Sequence, residues 1–227
     1  MAEQSIQCVG IIMDGNRRWA KMHGKPVFEG HRIGYDVLTK AITWARDAGV
    51  PHVIAYAFST ENWQRAEDEV GYLMKLFRFV IDNEADKMIT EKVRICFVGD
   101  RARFPEDIQK GMERLEKATM VSYKVTLHIA VSYGGRAEII SATNALLKEG
   151  VSEVNEEDFA KKLWTNLMPD PEIIIRTGGE QRLSGFLPWQ SVYSELFFVK
   201  ELWPDFSHAI FESILAEFRS RERRHGK

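Results

Sequence analysis

The residues best suited to chemistry follow the first apolar run of the chain, residues 8–12. After Met13 come one carboxylate and a basic segment: Asp14, Gly15, Asn16, Arg17 and Arg18. Arginine side chains bind phosphate oxygens bidentately, and backbone N–H groups at a helix start attract the same anions. Mg²⁺ usually binds one or two carboxylates together with phosphate oxygens. The stretch therefore predicts a magnesium-assisted phosphate site, and the alternative is an ordinary Asp-Gly turn before a solvated basic helix.

A second set of phosphate-binding residue types lies near residue 180. Arg176 and Arg182 flank a Gly-Gly turn, and Ser184 follows two residues after Arg182. A charge-assisted contact to phosphate contributes roughly 1.5–3 kcal/mol. Two phosphate sites with little acid–base equipment favour chemistry in which a phosphate group leaves.

Several common site signatures are absent from the sequence. It has no Gly-x4-Gly-Lys-Ser/Thr loop, no Gly-x-Gly-x-x-Gly fingerprint, no His-Glu-x-x-His metal motif and no Gly-x-Ser-x-Gly elbow. The two cysteines, Cys8 and Cys96, lie in apolar runs and are typical of buried side chains in a reducing compartment. A net charge of −2 argues against a nucleic acid as partner.

Strand and helix patterns alternate along the chain and define the elements that must hold these residues. Besides the first run, we predict strands at 53–58, 93–98, 125–131, 172–175 and 194–199. We predict helices at 35–48, 67–90, 105–120, 137–148, 156–164 and 206–223. This alternation indicates an α/β fold, a single domain over residues 1–227 with a central, mainly parallel sheet flanked by helices. Polar motifs follow four strands, at Asp14, Ser59, Ser132 and Arg176, so we expect them to converge at one sheet edge.

The motifs resemble those of cis-prenyltransferases, and most closely those of bacterial-type undecaprenyl diphosphate synthases. The matching stretches are 13–20, 30–31, 58–63, 133–136, 176–180, 189–190, 193–196 and 203–206. They cover nearly the whole chain in order. The resemblance implies the cis-prenyltransferase fold, with a hydrophobic tunnel beside the sheet. It also implies a transferase that condenses isopentenyl diphosphate with farnesyl or geranylgeranyl diphosphate and gives a long-chain cis-polyprenyl diphosphate.

The resemblance implies a role for each matching residue. Asp14 and Glu195 would bind Mg²⁺, and Asp14 and Asn62 would be catalytic, with an Asx-type cap as the alternative for Asn62. The substrate-binding residues would be Gly15, Asn16, Arg17, Arg18, Trp19, His31, Ser59, Thr60, Glu61, Trp63, Arg65, Arg176, Arg182, Leu183 and Ser184. The helix at 67–90 and the strand around Ala55 and Ala57 would form the tunnel walls. Trp19 and Trp63 have ordinary packing as their alternative.

Partners and location are also implied by the resemblance. A homodimer is expected, in which Arg224-His225-Gly226 reaches the partner's active site; the alternative is a frayed basic tail. No apolar run approaches the roughly 18 residues of a spanning helix, so we predict a cytoplasmic location with peripheral membrane contact for delivery of the product. Two other functions stay open: a non-catalytic subunit of a heteromeric prenyltransferase, and a phosphatase.

Several positions depart from the family pattern, among them residues 27 and 181. Val27 stands where an arginine is usual, and Lys25 lies close enough in sequence to compensate. Gln181 stands where a histidine is frequent.

Overall fold

A sheet of six strands forms the centre of the computed structural model, which describes residues 5–221. The strands are β1 Cys8–Ile12, β2 His52–Ser59, β3 Val93–Val98, β4 Val125–Tyr133, β5 Ile173–Arg176 and β6 Glu195–Phe198. Their order is β3-β4-β2-β1-β5-β6, and every pairing between them is parallel. The α/β prediction with a mainly parallel sheet is confirmed, and the central strands β1, β4 and β5 are buried throughout because both sheet faces are covered.

Eight α-helices cover the two faces of the sheet in the described part of the chain. They are α1 Asn16–Met22, α2 Val27–Asp47, α3 Glu67–Asn83, α4 Ala85–Thr90, α5 Glu106–Ala118, α6 Gly135–Lys148, α7 Glu156–Ala160 and α8 His208–Ser220. Short 3₁₀ turns span Thr60–Gln64, Arg101–Arg103 and Trp203–Asp205. The larger core joins one sheet face to α2, α3, α5 and α8. Within residues 5–221, no helix combines the length and the apolar character needed to cross a bilayer.

Three predicted helices have the wrong bounds. The helix predicted at 156–164 ends at Ala160, and the other two differ for identifiable reasons. The helix predicted at 35–48 begins at Val27, because Gly30 and Gly34 are helical although they give no apolar signal. A Cβ on Gly30 would lie 2.2 Å from the Asn16 carbonyl oxygen, so these glycines let α1 pack directly on α2. The helix predicted at 67–90 is broken at Glu84, between α3 and α4.

The polar strand ends meet at one edge of the sheet, as the sequence predicts. The strands that carry them, β4, β2, β1 and β5, are neighbours in the sheet order. Ile12 is level with Arg176, and Ser59 is level with Tyr133. The carboxyl ends of four adjacent strands therefore build one site.

Candidate active site

The backbone of Asp14 is fixed from two sides. Its carbonyl oxygen accepts hydrogen bonds from the Trp203 N–H at 3.0 Å and from the Thr177 hydroxyl at 2.7 Å. Gly15 follows with a φ of 121°, and a Cβ there would lie 2.9 Å from Leu202. This turn requires glycine and directs the Asp14 carboxylate away from the sheet.

The carboxylate of Asp14 joins the two predicted phosphate sites. Arg18 Nη2 lies 3.2 Å from Oδ1, and Arg176 Nη2 donates to Oδ2 at 2.8 Å. The Arg18 guanidinium also donates to the Gly178 carbonyl oxygen at 2.8 Å. A Cβ on Gly178 would lie 2.3 Å from Arg18 Nη2, so the Gly-Gly turn makes room for this side chain. The two sets of basic residues thus form one site around a single carboxylate.

Arg176 is buried and connects Asp14 to the segment that carries Ser184. Its Nη1 donates to the Ser184 hydroxyl at 2.9 Å and to the Arg182 carbonyl oxygen. Its Nε is buried without a hydrogen-bond partner among residues 5–221. Ser184 has a φ of 51°, a conformation unusual for a residue with a side chain and frequent at ligand sites.

The cavity beside Asp14 is strongly basic. This basic pocket, of about 740 Å³, is lined by Met13, Asp14, Gly15, Asn16, Arg17, Arg18, Lys21, Lys25, Pro26, Val27, His31 and Arg65. Five Lys or Arg side chains face one carboxylate, which makes the pocket suited to an anion with several negative charges. Val27 and Lys25 both line it, so a lysine is present in the pocket where the family arginine is missing.

Glu69 contacts three of the basic residues, and the sequence patterns did not predict it as a site residue. Its carboxylate lies 2.7 Å from Arg65, 3.4 Å from His31 and 3.7 Å from Arg17, and its side chain is only 10% exposed. Burial lowers the pKa of His31, and Glu69 opposes that shift. The four-residue spacing from Arg65 to Glu69 in the sequence was the available signal.

A buried carboxylate, that of Glu138, is hydrogen-bonded to the segment that follows Ser184. Glu138 is fully buried and accepts hydrogen bonds from the Tyr133 hydroxyl at 2.5 Å, the Thr165 hydroxyl at 2.9 Å and the Gln190 amide at 3.1 Å. Burial, reinforced by Glu138, raises the pKa of the Tyr133 phenol. The network ties the end of β4 to the segment that follows Ser184.

An apolar tunnel opens from the basic pocket and runs beside the sheet. Its cavity volume is about 110 Å³. Its lining residues are Met13, Asn16, His31, Gly34, Tyr35, Leu38, Thr39, Ile42, Ala57, Leu73, Leu76, Phe77, Val80, Ile81, Met88, Ile95, Phe97, Leu115, Leu127, Ile129 and Trp203. Met13, Asn16 and His31 line both cavities, so a ligand can place a charged end in one and an apolar tail in the other. Ala57 lies in the lining, whereas Ala55 lies in the core.

Several predicted substrate-binding residues lie outside both cavities. Trp19 donates its indole N–H to Asp205 at 2.7 Å, and Trp63 donates to the Ser132 hydroxyl at 3.0 Å. Trp63 also packs on Phe58, in agreement with its alternative as a packing residue.

Three sequence neighbours of Trp63 lie in the turn after β2. Asn62 Oδ1 accepts the Ser59 N–H at 3.0 Å in a capping box, which is the alternative considered for Asn62. Thr60 lies against Gly134, and Glu61 is exposed.

The remaining predicted residues lie at separate places. Arg182 is 60% exposed and ion-pairs with Glu180, and Leu183 packs against the smaller core. Glu195 is the first residue of β6 and pairs with Ile173 of β5. Ile173 lies three residues, or roughly 10 Å, before Arg176 along β5. The Glu195 carboxylate forms an ion pair with Arg221 at 2.6 Å. One chain therefore does not bring Glu195 to Asp14. Residues 224–226 lie outside the described residues.

Comparisons with known proteins identify the family of the chain. Residues 12–226 match the model of the family described as putative undecaprenyl diphosphate synthase. An isoprenyl transferase of Fusobacterium nucleatum is 46% identical over 218 residues, which are 96% of this chain and 94% of that protein. An isoprenyl transferase of Thermotoga maritima is 45% identical over 225 residues, 97% and 96% of the two chains.

Two solved structures share the fold. Lavandulyl diphosphate synthase from Lavandula x intermedia, in complex with dimethylallyl diphosphate, superposes with a TM-score of 0.92 at 32% identity and 98% coverage of both chains. A probable undecaprenyl diphosphate synthase from Campylobacter jejuni superposes with a TM-score of 0.84 at 29% identity, over 99% of this chain and 100% of that one. The chain belongs to the undecaprenyl diphosphate synthase family and is a cis-prenyltransferase.

Proposed function

We propose that this cis-prenyltransferase joins isopentenyl diphosphate to a farnesyl or geranylgeranyl diphosphate primer and repeats the step to a long cis-polyprenyl diphosphate. The observation that carries the proposal is the position of Asp14 in the basic pocket, between Arg18 and Arg176 and next in sequence to Met13, which also lines the apolar tunnel. A diphosphate with a long apolar tail matches this pair of cavities.

The residues around Asp14 fit a Mg²⁺ ion that is held by one carboxylate together with the substrate. The described residues contain no group of three or more His, Cys, Asp or Glu side chains able to hold a metal. Asp14, with a side chain 30% exposed, offers one carboxylate. A single carboxylate with substrate phosphate oxygens is a usual magnesium environment, so Asp14 would hold the ion together with the diphosphate. When bound, Mg²⁺ would offset the negative charge that grows on the leaving diphosphate.

The basic pocket would bind the primer's diphosphate. Arg17, Arg18, His31 and Arg65 line this pocket and would donate hydrogen bonds to the diphosphate, with the backbone of Gly15 and Asn16 alongside. As the allylic C–O bond breaks, its electron pair stays on the diphosphate, and these donors stabilise the added charge. The tunnel lining keeps water away from the allylic cation.

The Arg176 side of the site would bind isopentenyl diphosphate. Ser184 and Arg182 flank Arg176, and the exposed Arg182 can exchange Glu180 for a diphosphate. The isopentenyl double bond attacks the allylic carbon and forms the new C–C bond, and loss of a proton then gives the cis double bond. Asn62 would position this step through the turn after β2, and a diphosphate oxygen would accept the proton.

A homodimer is part of the proposal. Large apolar side chains are exposed on α6 and in the segments before β6: Ile140, Leu147, Leu167 and Val192. Exposed apolar surface of this kind is typical of subunit interfaces. Glu195 would serve as a metal ligand only across such an interface. Light scattering should give twice the 26.1 kDa chain mass, and Ile140→Glu should lower it; a monomeric wild type would contradict the dimer.

Peripheral contact with an anionic lipid surface is the last part of the proposal. Met22 is 75% exposed and Phe28 is 43% exposed, close in sequence to Lys21 and Lys25 at the basic pocket. Apolar side chains among lysines favour such surfaces. Co-sedimentation with anionic vesicles should detect binding that Met22→Ser weakens, and wild-type protein that stays in the supernatant would contradict it. The cytoplasmic location stays a prediction.

The decisive experiment supplies the purified chain with Mg²⁺, isopentenyl diphosphate and each primer in turn. We expect a polyprenyl diphosphate, detected by chromatography. Activity only after addition of a second chain would instead support the non-catalytic subunit, for which the comparisons give no support. Release of phosphate from farnesyl diphosphate alone would indicate a phosphatase.

A further inference from the structure

One of the two outer edges of the sheet is formed by β3. Within residues 5–221 this strand has a single neighbouring strand, β4. In a parallel ladder, alternate residues turn both backbone groups towards the neighbour, and the residues between them turn both groups away. Ile95 and Phe97 turn away, because their N–H groups bind side chains instead of β4. Backbone groups at such an edge are a template for pairing with another strand.

Side chains at the end of α5 occupy both of these N–H groups. The Thr119 hydroxyl accepts the Ile95 N–H at 3.0 Å and donates to the Leu115 carbonyl oxygen at 2.9 Å. Glu116 Oε1 accepts the Phe97 N–H at 2.7 Å. Ile95, Phe97 and Thr119 are all buried, so each bond satisfies a donor that water does not reach.

Arg101, in the turn after β3, completes the arrangement at Phe97. Its guanidinium binds both carboxylate oxygens of Glu116, at 2.6 and 2.8 Å, and also donates to the Phe97 carbonyl oxygen. Phe97 thus has an acceptor for its N–H and a donor for its C=O, which are the two groups that a neighbouring strand would supply. The ion pair therefore takes the place of a strand at this edge.

A surface groove of about 280 Å³ is lined by β3 residues 94–98. Arg101 and Glu116 also line it, together with Met120, which is 61% exposed. An accessible strand edge beside an exposed apolar side chain is a surface on which protein chains associate. Another strand could therefore approach β3 through this groove if the side chains that occupy the edge were removed.

We propose that Arg101, Glu116 and Thr119, the edge caps, keep β3 from pairing with the same edge of a second copy of this chain. A second strand would have to displace hydrogen bonds that the edge already holds before it formed its own. The caps thereby restrict association between copies to other surfaces of the molecule. This inference concerns association and does not depend on the proposed chemistry.

The pairing that the caps prevent has a defined geometry. Two identical edges can pair antiparallel about a twofold axis, with Ile95 of one copy opposite Phe97 of the other. Cys96 would then lie opposite Cys96 of the second copy. Because Cys96 turns its backbone groups towards β4, this is a pair without mutual hydrogen bonds, with Cα atoms about 4.5 Å apart. Such a separation lies within the range that disulfides span.

The test removes two caps in the double variant Glu116→Ala/Thr119→Ala. At equal protein concentration, light scattering should give about twice the wild-type mass, since a twofold contact closes after one partner is added. Copper phenanthroline, as the oxidant, should then join two Cys96 thiols in a disulfide. Cys96→Ser in the same double variant should abolish the crosslink, because the other cysteine, Cys8, is fully buried.

Two matched controls use the same helix. Glu116→Gln/Thr119→Ser keeps a hydrogen-bond acceptor at both positions, and Glu113→Ala removes an exposed carboxylate of the groove. Both should keep the wild-type mass and give no crosslink. An unchanged mass of the folded alanine variant, or a higher mass without the Cys96 crosslink, would overturn the inference.

Hydrogen exchange of the wild type gives a second test that does not require the alanine variant to fold. The amides of Ile95 and Phe97 should exchange as slowly as the amide of Cys96, which faces β4, because the caps protect them. Exchange about 100-fold faster at Ile95 and Phe97 would show that the caps do not hold the edge, and would overturn the inference.

Discussion

The basic pocket and the apolar tunnel share three residues but are built in opposite ways. The pocket is formed by the turn after β1 and the starts of α1 and α2, and hydrogen bonds and ion pairs fix its side chains. The tunnel is formed by one face each of α2 and α3 against the sheet, and only packing fixes its shape. In the pocket a side chain acts through charge at a defined distance, whereas in the tunnel it acts through volume.

Because of this difference, substitutions in the pocket and in the tunnel should change different properties of the enzyme. A change of charge in the pocket should alter turnover or substrate binding. A change of volume in the tunnel should alter the length of the product and have less effect on the first condensation.

The largest effect is expected for Asp14→Asn in the pocket. The amide keeps the size of the side chain but loses the charge that holds Arg18 and Arg176 and would hold Mg²⁺. We expect kcat to fall by about 10³-fold or more. Steady-state kinetics with Asp36→Asn, an exposed carboxylate on α2, as the control measures this fall. An Asp14→Asn enzyme within tenfold of the wild type would show that the chemistry does not depend on this carboxylate.

A smaller effect is expected for Glu69→Gln, behind the pocket. Without the carboxylate, Arg65, His31 and Arg17 lose the group that holds all three in place. We therefore expect the KM of the allylic primer to rise about tenfold, which corresponds to the roughly 1.5 kcal/mol of one charge-assisted hydrogen bond. The KM of isopentenyl diphosphate should change less. A lower KM of the primer would mean that Glu69 competes with the diphosphate for these donors.

In the tunnel, Ala57→Leu should shorten the product. The added carbon atoms fill the lining beside β2, so fewer isoprene units fit, while the first condensation should slow by only a few-fold because the basic pocket is untouched. Phe79→Ala, on the exposed side of α3, is the control. Equal product lengths in Ala57→Leu and the wild type would show that this part of the tunnel does not limit the chain.

The smallest effect on activity is expected away from both cavities, at His128. Burial, assisted by His52 and Arg94, lowers the pKa of His128 to about 3. Since the folded pKa lies below the unfolded value of 6.5, the stability from neutral His128 is present above pH 6.5 and is lost as pH falls towards 3, by up to about 1.4 kcal/mol per pH unit. In denaturant unfolding, the free energy of unfolding should fall less steeply between pH 6.5 and pH 3 for His128→Gln than for the wild type. The exposed His208→Gln should keep the wild-type slope.

The sequence was sufficient for the features that depend on neighbouring residues. Alternating apolar runs predicted the parallel sheet, and the turns after β1 and β5 carry the side chains for which the sequence predicts phosphate binding. The helix end predicted at residue 48 illustrates the same point, because Gly49 follows it and has a φ of 76°, a conformation typical of glycine just after a helix.

Features that depend on distant contacts could not be predicted in this way. Gly30 and Gly34 interrupt the apolar pattern of α2, and their purpose is visible only where α1 packs on them. The break at Glu84 has no proline or glycine to mark it. Glu195 and Trp19 match the family motif in sequence, but strand register and the bond to Asp205 direct them elsewhere in a single chain.

By itself the sequence determined the fold class, the family and the residue types of the candidate site, because apolar periodicity and residue types are local properties of the chain. Only the tertiary structure decided that Asp14 joins both halves of the site and that Glu69 and Glu138 support it. These features are distances between segments far apart in the chain, and packing of helices on the sheet sets those distances.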